Sequence, residues 1–493
     1  MSGPAFSFAE AAVLAERGLE AQASGDAAAA LALYRQAAPA LDAVPELHNN
    51  LALCELALDR PEAAEAALRR ALELRPLYAE ARNNLGLVLQ KRGLAEEAAA
   101  AFRAALEIDP LYAHAAFNLG NVELEAGRAA AAAALFERAL ALSGGTFPKA
   151  AMNLGIALLE AGDPPAAVRA HERARSLAPD DAESAANLAL ARLMTGDWER
   201  GWAEYEARWL LPGYAPPAFP MPAWHGEDLA GKRLLLWTEQ GAGTSIQFLR
   251  YAAVLAGRGA RVTVACEEPL RRLAAAAEGV AAVVPRGEAV PPGAFDFHLP
   301  LVSAARLCGT RLESVPPPAR FRGVARSAPG RPPFRVALAW TGNPAFSQNA
   351  RRGVPLEKFA ALARAAGERF SWRAFQQGGA SLEAWPAGAP PLEPPPHFAD
   401  FYETAQALAE ADLVVTSDTA LAHLAGSLGV PTALLLMAAP DWRWQQGGEG
   451  DPYDERTPWY PSVRLFRQRL PGAWDAPLAA LAARLREWSG GPL

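Results

Sequence analysis

The chain has 493 residues, enough for about three domains at roughly 150 residues each, and 51% of them are apolar, so several cores can be buried. Forty-seven Lys and Arg against 54 Asp and Glu leave a net charge of −7, which excludes a general nucleic-acid binder with a basic face for phosphates. Cys54, Cys266 and Cys308 lie far apart without a C-x-x-C pair, a pattern of a reducing compartment and not of a disulfide scaffold or a metal centre. The first residues lack the basic-then-apolar pattern of a secretory signal, and no apolar run approaches the ~20 residues of a membrane span. A cytoplasmic protein without a transmembrane segment is therefore expected.

In chain order, the first two-fifths are repetitive. Asn-Leu recurs at Asn50, Asn84, Asn118, Asn153 and Asn187, at spacings of 34, 34, 35 and 34. Turn residues keep the same beat at Gly25, Asp59, Gly93, Gly127, Gly162 and Gly196, and prolines follow it at Pro76, Pro110 and Pro179. Each unit reads as two Ala- and Leu-rich amphipathic helices, as in Ala79–Lys91 and Ala95–Ile108 around Gly93, closed by Asp109-Pro110. The extra residue before Asn153 falls in the segment LSGGTFPKA, a lengthened loop between units. One such unit cannot bury its apolar face alone, so the array must stack into a superhelix with a concave surface.

These units resemble tetratricopeptide repeats, about six of them, over residues 8–210. In the repeat arrays of O-linked N-acetylglucosamine transferases an Asn at this position forms a ladder along the concave face. The resemblance implies that Asn50, Asn84, Asn118, Asn153 and Asn187 hold the main chain of an extended protein segment, since a carboxamide both donates and accepts. The alternative is that they bridge neighbouring helices and hold the superhelix together.

A Pro- and Gly-rich linker, residues 211–232, ends the helical period. Strand-like runs then alternate with helices: Arg233–Thr238, Arg261–Ala265 and Val280–Pro285, and beyond the hinge-like 314–334 segment Arg335–Trp340, Trp372–Phe375, Asp412–Ser417 and Thr432–Leu436. This alternation predicts parallel sheets in two doubly wound domains, 233–325 and 326–493, with a C-terminal helix at Ala476–Trp488 packing across. The fold class is thus an α-solenoid followed by an α/β module, whose ligands bind beyond the carboxyl ends of the strands.

Five blocks occur in order: WTEQGAGTSIQFLRYAAVLAGRGARVTV, DFHLPLVSAARLCGT, VALAWTGNPAF, TSDTALAHLAGSLGVPT and TPWYPSVRLFRQ. Together they resemble the bacterial proteins that join tetratricopeptide repeats to a heptosyltransferase-like glycosyltransferase domain. The resemblance implies a GT-B fold, a nucleotide-sugar donor held by the C-terminal domain, no required cofactor and no obligatory metal. Asp418, Thr419 and His423 match its donor motif, with Ala420 beside them, at a strand-to-helix turn whose backbone amides favour an anion. A helix cap by Asp418 and a structural His423 are the plainer reading. Asn343 follows the strand at Arg335–Trp340, and Arg352, then Arg351, are the candidates to hold the diphosphate; a solvated basic loop is the alternative.

The acceptor-side loop departs from the family. The usual E-Q-G-L-G-D-T is here Glu239, Gln240, Gly241, Ala242, Gly243, Thr244 and Ser245, so the aspartate expected as base is Thr244. Glu239 is the nearest carboxylate and the candidate catalytic base, with His298 a second candidate that is more simply structural. Trp442, Trp444, Trp459 and Tyr460, around an acidic insert at Gly447–Arg456, suit either a stacked nucleotide or a core. The function expected is sugar transfer from a nucleotide-sugar to a Ser or Thr of a protein acceptor, such as flagellin or another surface subunit, held by the repeats. An adaptor with an inactive transferase domain, or a glycolipid transferase, are the alternatives.

Overall fold

The computed structural model describes residues 6–328, 330, 332–342, 349–376, 382, 384–444, 455–491 and 493. Contacts divide the chain into two units, one up to Ser184 and one from Ala185 onward.

The first unit is built of helical hairpins: α1 (Phe8–Ala23) with α2 (Ala27–Leu41), α3 (Pro45–Ala57) with α4 (Pro61–Leu74), α5 (Ala79–Lys91) with α6 (Ala95–Ile108), α7 (Ala113–Glu125) with α8 (Ala129–Leu142), and α9 (Pro148–Glu160) with α10 (Pro164–Leu177). The turn residues carry the period into the backbone. Gly93 sits at φ 77° and Asp59, in the equivalent turn, at φ 61°, in the left-handed region that reverses the chain between helices. Small residues let the helices approach closely: Ala30, Ala64, Ala98, Ala132 and Ala167 are all fully buried, one per hairpin. Within a hairpin a glycine faces a ring. A Cβ on Gly86 would lie 2.5 Å from Phe102, and one on Gly120 would lie 2.7 Å from Phe136. The lengthened loop is present between α8 and α9, where Gly144 and Gly145 turn the chain at φ 64° and 79°.

The second unit opens with α11 (Ala182–Thr195, from Ala185 on) and α12 (Trp198–Tyr205) and continues into two sheets. The first sheet contains β1 (Arg233–Trp237), β2 (Arg261–Cys266), β3 (Val280–Pro285) and β4 (Phe297–Pro300), all parallel in the order β3-β2-β1-β4. Its helices are α13 (Ala242–Phe248), α14 (Arg250–Gly257), α15 (Arg271–Ala276) and α16 (Ser303–Leu307). The second sheet contains β5 (Phe334–Ala339), β6 (Phe370–Ala374), β7 (Leu392–Glu393), β8 (Leu413–Ser417), β9 (Thr432–Leu436), β10 (Glu455–Thr457) and β11 (Tyr460–Arg467). Their order is β10-β11-β9-β8-β5-β6-β7, parallel except for β10 against β11. Strands β8 and β9 are wholly buried, as continuous apolar runs covered on both faces should be.

Helices α17 (Asn349–Arg352), α18 (Leu356–Ala366), α19 (Phe401–Leu408), α20 (Ala420–Leu428) and α21 (Asp475–Glu487) complete the second half. Among the described residues the core contacts of the C-terminal helix lie within its own half. Leu478, Leu481 and Leu485 of α21 share a core with Leu356 and Phe359 of α18 and with Trp372, so its apolar face is spent inside its own half. No helix among the described residues is long and apolar enough to cross a membrane.

Candidate functional site

The loop from β1 to α13 and the turn from β8 to α20 lie at the carboxyl ends of strands in different sheets, and they meet. Gly243 is the contact: a Cβ there would stand 2.8 Å from His423 Cδ2 and 3.3 Å from Ala420 Cα. A side chain at Gly243 would therefore push the two loops apart, which explains the glycine.

On the second-sheet side, Thr419, not Asp418, caps α20, its Oγ1 accepting from the Leu421 amide at 3.3 Å. Asp418 is thus left unused as a cap. Burial and the nearby Asp441 push its carboxyl up to about 6, against the opposing pull of Arg352 and Arg443. His423 is buried, stacked on Trp444 at 5.0 Å and hydrogen-bonded through Nδ1 to the Tyr460 hydroxyl at 3.2 Å. Burial and the cations Arg443 and Arg250 hold it neutral, well below its ordinary range.

After β5 the chain passes through Thr341 and Gly342, and Asn343 lies outside the described residues. Asn349 organises what precedes it: its Oδ1 accepts from the Gly342 amide at 2.9 Å and its Nδ2 donates to Thr341 Oγ1 at 3.0 Å. Arg352 lies over Gly342, its Nε 3.5 Å from Asn349 Oδ1, and is close enough to Asp418 to act on its charge. Arg351 is its half-buried neighbour on α17. Arg352, Asp418, Thr419, Ala420 and His423 are thus brought to one place.

On the first-sheet side, Glu239 is almost fully buried. Its Oε1 accepts from Arg208 Nη2 at 3.1 Å and from the Val302 amide at 3.3 Å, while Oε2 has no hydrogen-bond partner among the described residues. Burial drives its carboxyl up to about 7, with Arg208 opposing. Gln240 donates to the Tyr205 hydroxyl at 2.9 Å and accepts from Arg443 Nη2 at 3.0 Å. Gly241 caps α13, whose first residues are Ala242 and Gly243. Thr244 accepts from Arg443 Nη2 at 3.0 Å, so the guanidinium addresses the hydroxyl at the position where an aspartate was expected from the resemblance. Arg443 also donates to Gln247 Oε1 at 3.0 Å and pairs with Asp441 at 2.7 Å.

His298 is drawn into the β4 edge instead. It accepts at Nδ1 from the Trp237 indole at 3.3 Å, packs on Phe219 at 4.7 Å, and burial lowers its pKa. The aromatic cluster resolves in favour of a core, because Trp442, Trp444, Trp459 and Tyr460 are all buried and pack on one another. Most of the acidic insert lies outside the described residues.

Sequence reading missed Arg443, Asp441, Tyr205, Arg208 and Arg250. Arg250 is buried with no carboxylate partner among the described residues and donates to the carbonyls of Gln247, Pro316 and Trp459, tying α14, the interdomain segment and the second half together. No local spacing marks these residues, since their partners lie up to 209 positions away.

In the first unit three of the repeat asparagines each reach a different asparagine of the preceding repeat. Asn84 Nδ2 donates to Asn49 Oδ1 at 2.8 Å, Asn118 to Asn83 at 2.8 Å, and Asn153 to Asn121 at 2.7 Å. Each crosses from one repeat to the one before it. Asn84, Asn118 and Asn153 thus bridge neighbouring repeats, and each of these carboxamides still has a second N–H. Asn50, Asn118 and Asn153 are half-buried, whereas Asn84 is 6% exposed. Asn187 lies on α11, in the second unit.

Residues 16–79, 55–113, 83–145 and 152–216 match the tetratricopeptide repeat. The helical hairpins are tetratricopeptide repeats, a class of module that binds proteins. Over 358 residues the chain is 27% identical to Protein FlbA of Caulobacter vibrioides, an alignment covering 63% of this chain and 57% of that protein. The chain therefore spans little more than half the length of that relative. Among solved structures, Pseudomonas aeruginosa PilF is 23% identical over 41% of this chain and 92% of its own, with a TM-score of 0.38. A repeat protein of Thermus thermophilus is 24% identical over 37% of this chain and 99% of its own, with a TM-score of 0.33.

Proposed function

We propose that the second unit is a glycosyltransferase of the GT-B type, cytoplasmic, that moves a sugar from a nucleotide-sugar donor to a Ser or Thr hydroxyl of a protein held by the repeats. The observation that carries this reading is the meeting of two carboxyl-end loops at Gly243 and Ala420, one from each sheet: the loop that follows Glu239 and the turn that holds Asp418 and opens α20. In this scheme the amino end of α20 and Arg352 hold the donor diphosphate. The acceptor oxygen bonds to the anomeric carbon, the bond from that carbon to the phosphate oxygen breaks, and the hydroxyl proton passes to Glu239. A carboxyl held near 7 suits that task better than one at 4.5. Arg352, with Arg351 beside it, balances the charge growing on the departing nucleoside diphosphate, so no metal or cofactor enters the scheme. Flagellin or another surface subunit is the acceptor class implied by the family resemblance.

The test is transfer of labelled sugar from a panel of nucleotide-sugars onto Ser- and Thr-containing protein fractions by the full chain. Loss of labelling in Asp418→Asn and Arg352→Ala is the expected result. A second reading, an adaptor whose transferase half is inactive, draws on Thr244, which cannot take a proton, and on Arg443, which occupies its hydroxyl. Under that reading no donor in the panel labels any acceptor.

A further inference from the structure

We infer that Tyr205 and Arg208 are positioning residues for the loop Glu239–Thr244, which makes the last helical pair a working part of the site and not merely the end of the array. The inference rests on the transferase reading of that site. Its starting point is the repeat register. The residue that fills each hairpin against the glycine or alanine of the partner helix recurs as Tyr34, Leu68, Phe102, Phe136 and His171, at spacings of 34, 34, 34 and 35. The next position, 34 further on, is Tyr205.

In Phe102 and Phe136 this residue only fills space. The Tyr205 ring packs edge-on to Trp202 at 6.3 Å and near Trp442 at 6.1 Å. It adds a hydroxyl that holds the Gln240 amide at 2.9 Å. Three residues later Arg208 lies over the same ring at 4.8 Å, pairs with Glu239 at 3.1 Å and donates to Ser303 Oγ at 2.7 Å. The side chains of Arg208 and Glu239 are each 4% exposed. Two consecutive loop residues are therefore gripped from one short segment, 205–208. Arg443 grips Gln240 from the other side, so both ends of that amide are engaged and its orientation is fixed. A ring alone would satisfy the packing, and the hydroxyl and the guanidinium serve the loop.

The experiment uses the full-length chain and Tyr205→Phe, which keeps the ring, with Arg208→Met and Arg208→Lys as a second pair. Peptide-resolved amide exchange, melting temperature and calorimetric titration with UDP and GDP are read for each. Exchange over residues 240–248 should rise about tenfold in Tyr205→Phe and Arg208→Met, with exchange in the β8 and β9 strands unmoved. Arg208→Lys should restore most of the protection. Unchanged exchange over 240–248, or faster exchange spread evenly through the second unit, overturns the positioning role. If UDP and GDP do not bind the wild-type chain and the nucleotide-sugar panel labels no acceptor, the transferase reading fails alone, and the exchange result still decides what Tyr205 and Arg208 do.

Discussion

Arg443 donates to Thr244 across 199 residues of sequence, Nη2 to Oγ1 at 3.0 Å, from a guanidinium already paired with Asp441. A carboxylate at 244 would compete for that guanidinium in a bidentate pair and draw it away from Gln240. Thr244→Asp is therefore expected to lower transfer several-fold, because the loop is set for a neutral partner. Steady-state rates of the variant decide this, and a faster Thr244→Asp enzyme would mean that the site is a degraded one awaiting its aspartate.

Glu239 makes a pH prediction. Its carboxyl is raised to about 7 in the fold from an ordinary 4.5, so a proton acceptor forms only as pH rises through 7. Transfer should fall on the acid side of that value, and Glu239→Gln should cost about 100-fold or more and flatten the acid limb. The stability effect has the opposite sense. A raised acid stabilises the fold below about 4.5 and loses that contribution as pH climbs through 7, so Glu239→Gln should gain stability relative to wild type at pH 8.

His171 gives the converse case in the repeats. It takes the place of the ring in its hairpin, fully buried, with neither ring nitrogen hydrogen-bonded among the described residues. Burial lowers its pKa from 6.5 to about 4, so the fold needs it neutral. That contribution is intact above 6.5 and is lost as pH falls towards 4. Urea unfolding at pH 7.5 and 5 should show a loss in wild type that His171→Phe reduces; equal losses in both proteins would rule His171 out as the source.

Truncation separates the sequence repeat from the packing unit. Trp198 stacks on Trp459 at 5.0 Å, and Trp202 meets Trp442 at 5.2 Å and Phe248 at 6.1 Å, all within the second unit. Cutting at the linker strips this cover from buried tryptophans. A fragment of residues 212–493 should aggregate or melt well below one of residues 180–493, being less stable by several kcal/mol given the area of two indoles. Matching melting curves would show that α12 is dispensable to the core.

The repeats were legible because three landmarks, the Asn at 84, the turn at 93 and the Pro at 110, share one period with their counterparts in neighbouring units. Buried strands such as Thr432–Leu436 were legible as apolar runs between turn signals. β11 was not, since Pro461, Arg464 and Arg467 interrupt its apolar pattern, although Arg464 and Arg467 are buried in the strand. Nor does the sequence mark the break at Leu249, where α13 gives way to α14. Within the site, Asp418 and His423 could be found because a strand, a turn and a helix follow one another locally. Arg443, Tyr205 and Arg208 could not, because what defines them is a partner brought near only by folding.

The most direct measurement is calorimetric titration of the full chain with a panel of nucleotide-sugars, beside Arg352→Ala and Asp418→Asn. Saturable one-site binding of one donor, weakened about tenfold or more in both variants, is the result predicted from the proposed anion site at α20. Well-folded protein that binds none of the donors, or binds one equally in all three forms, would contradict it.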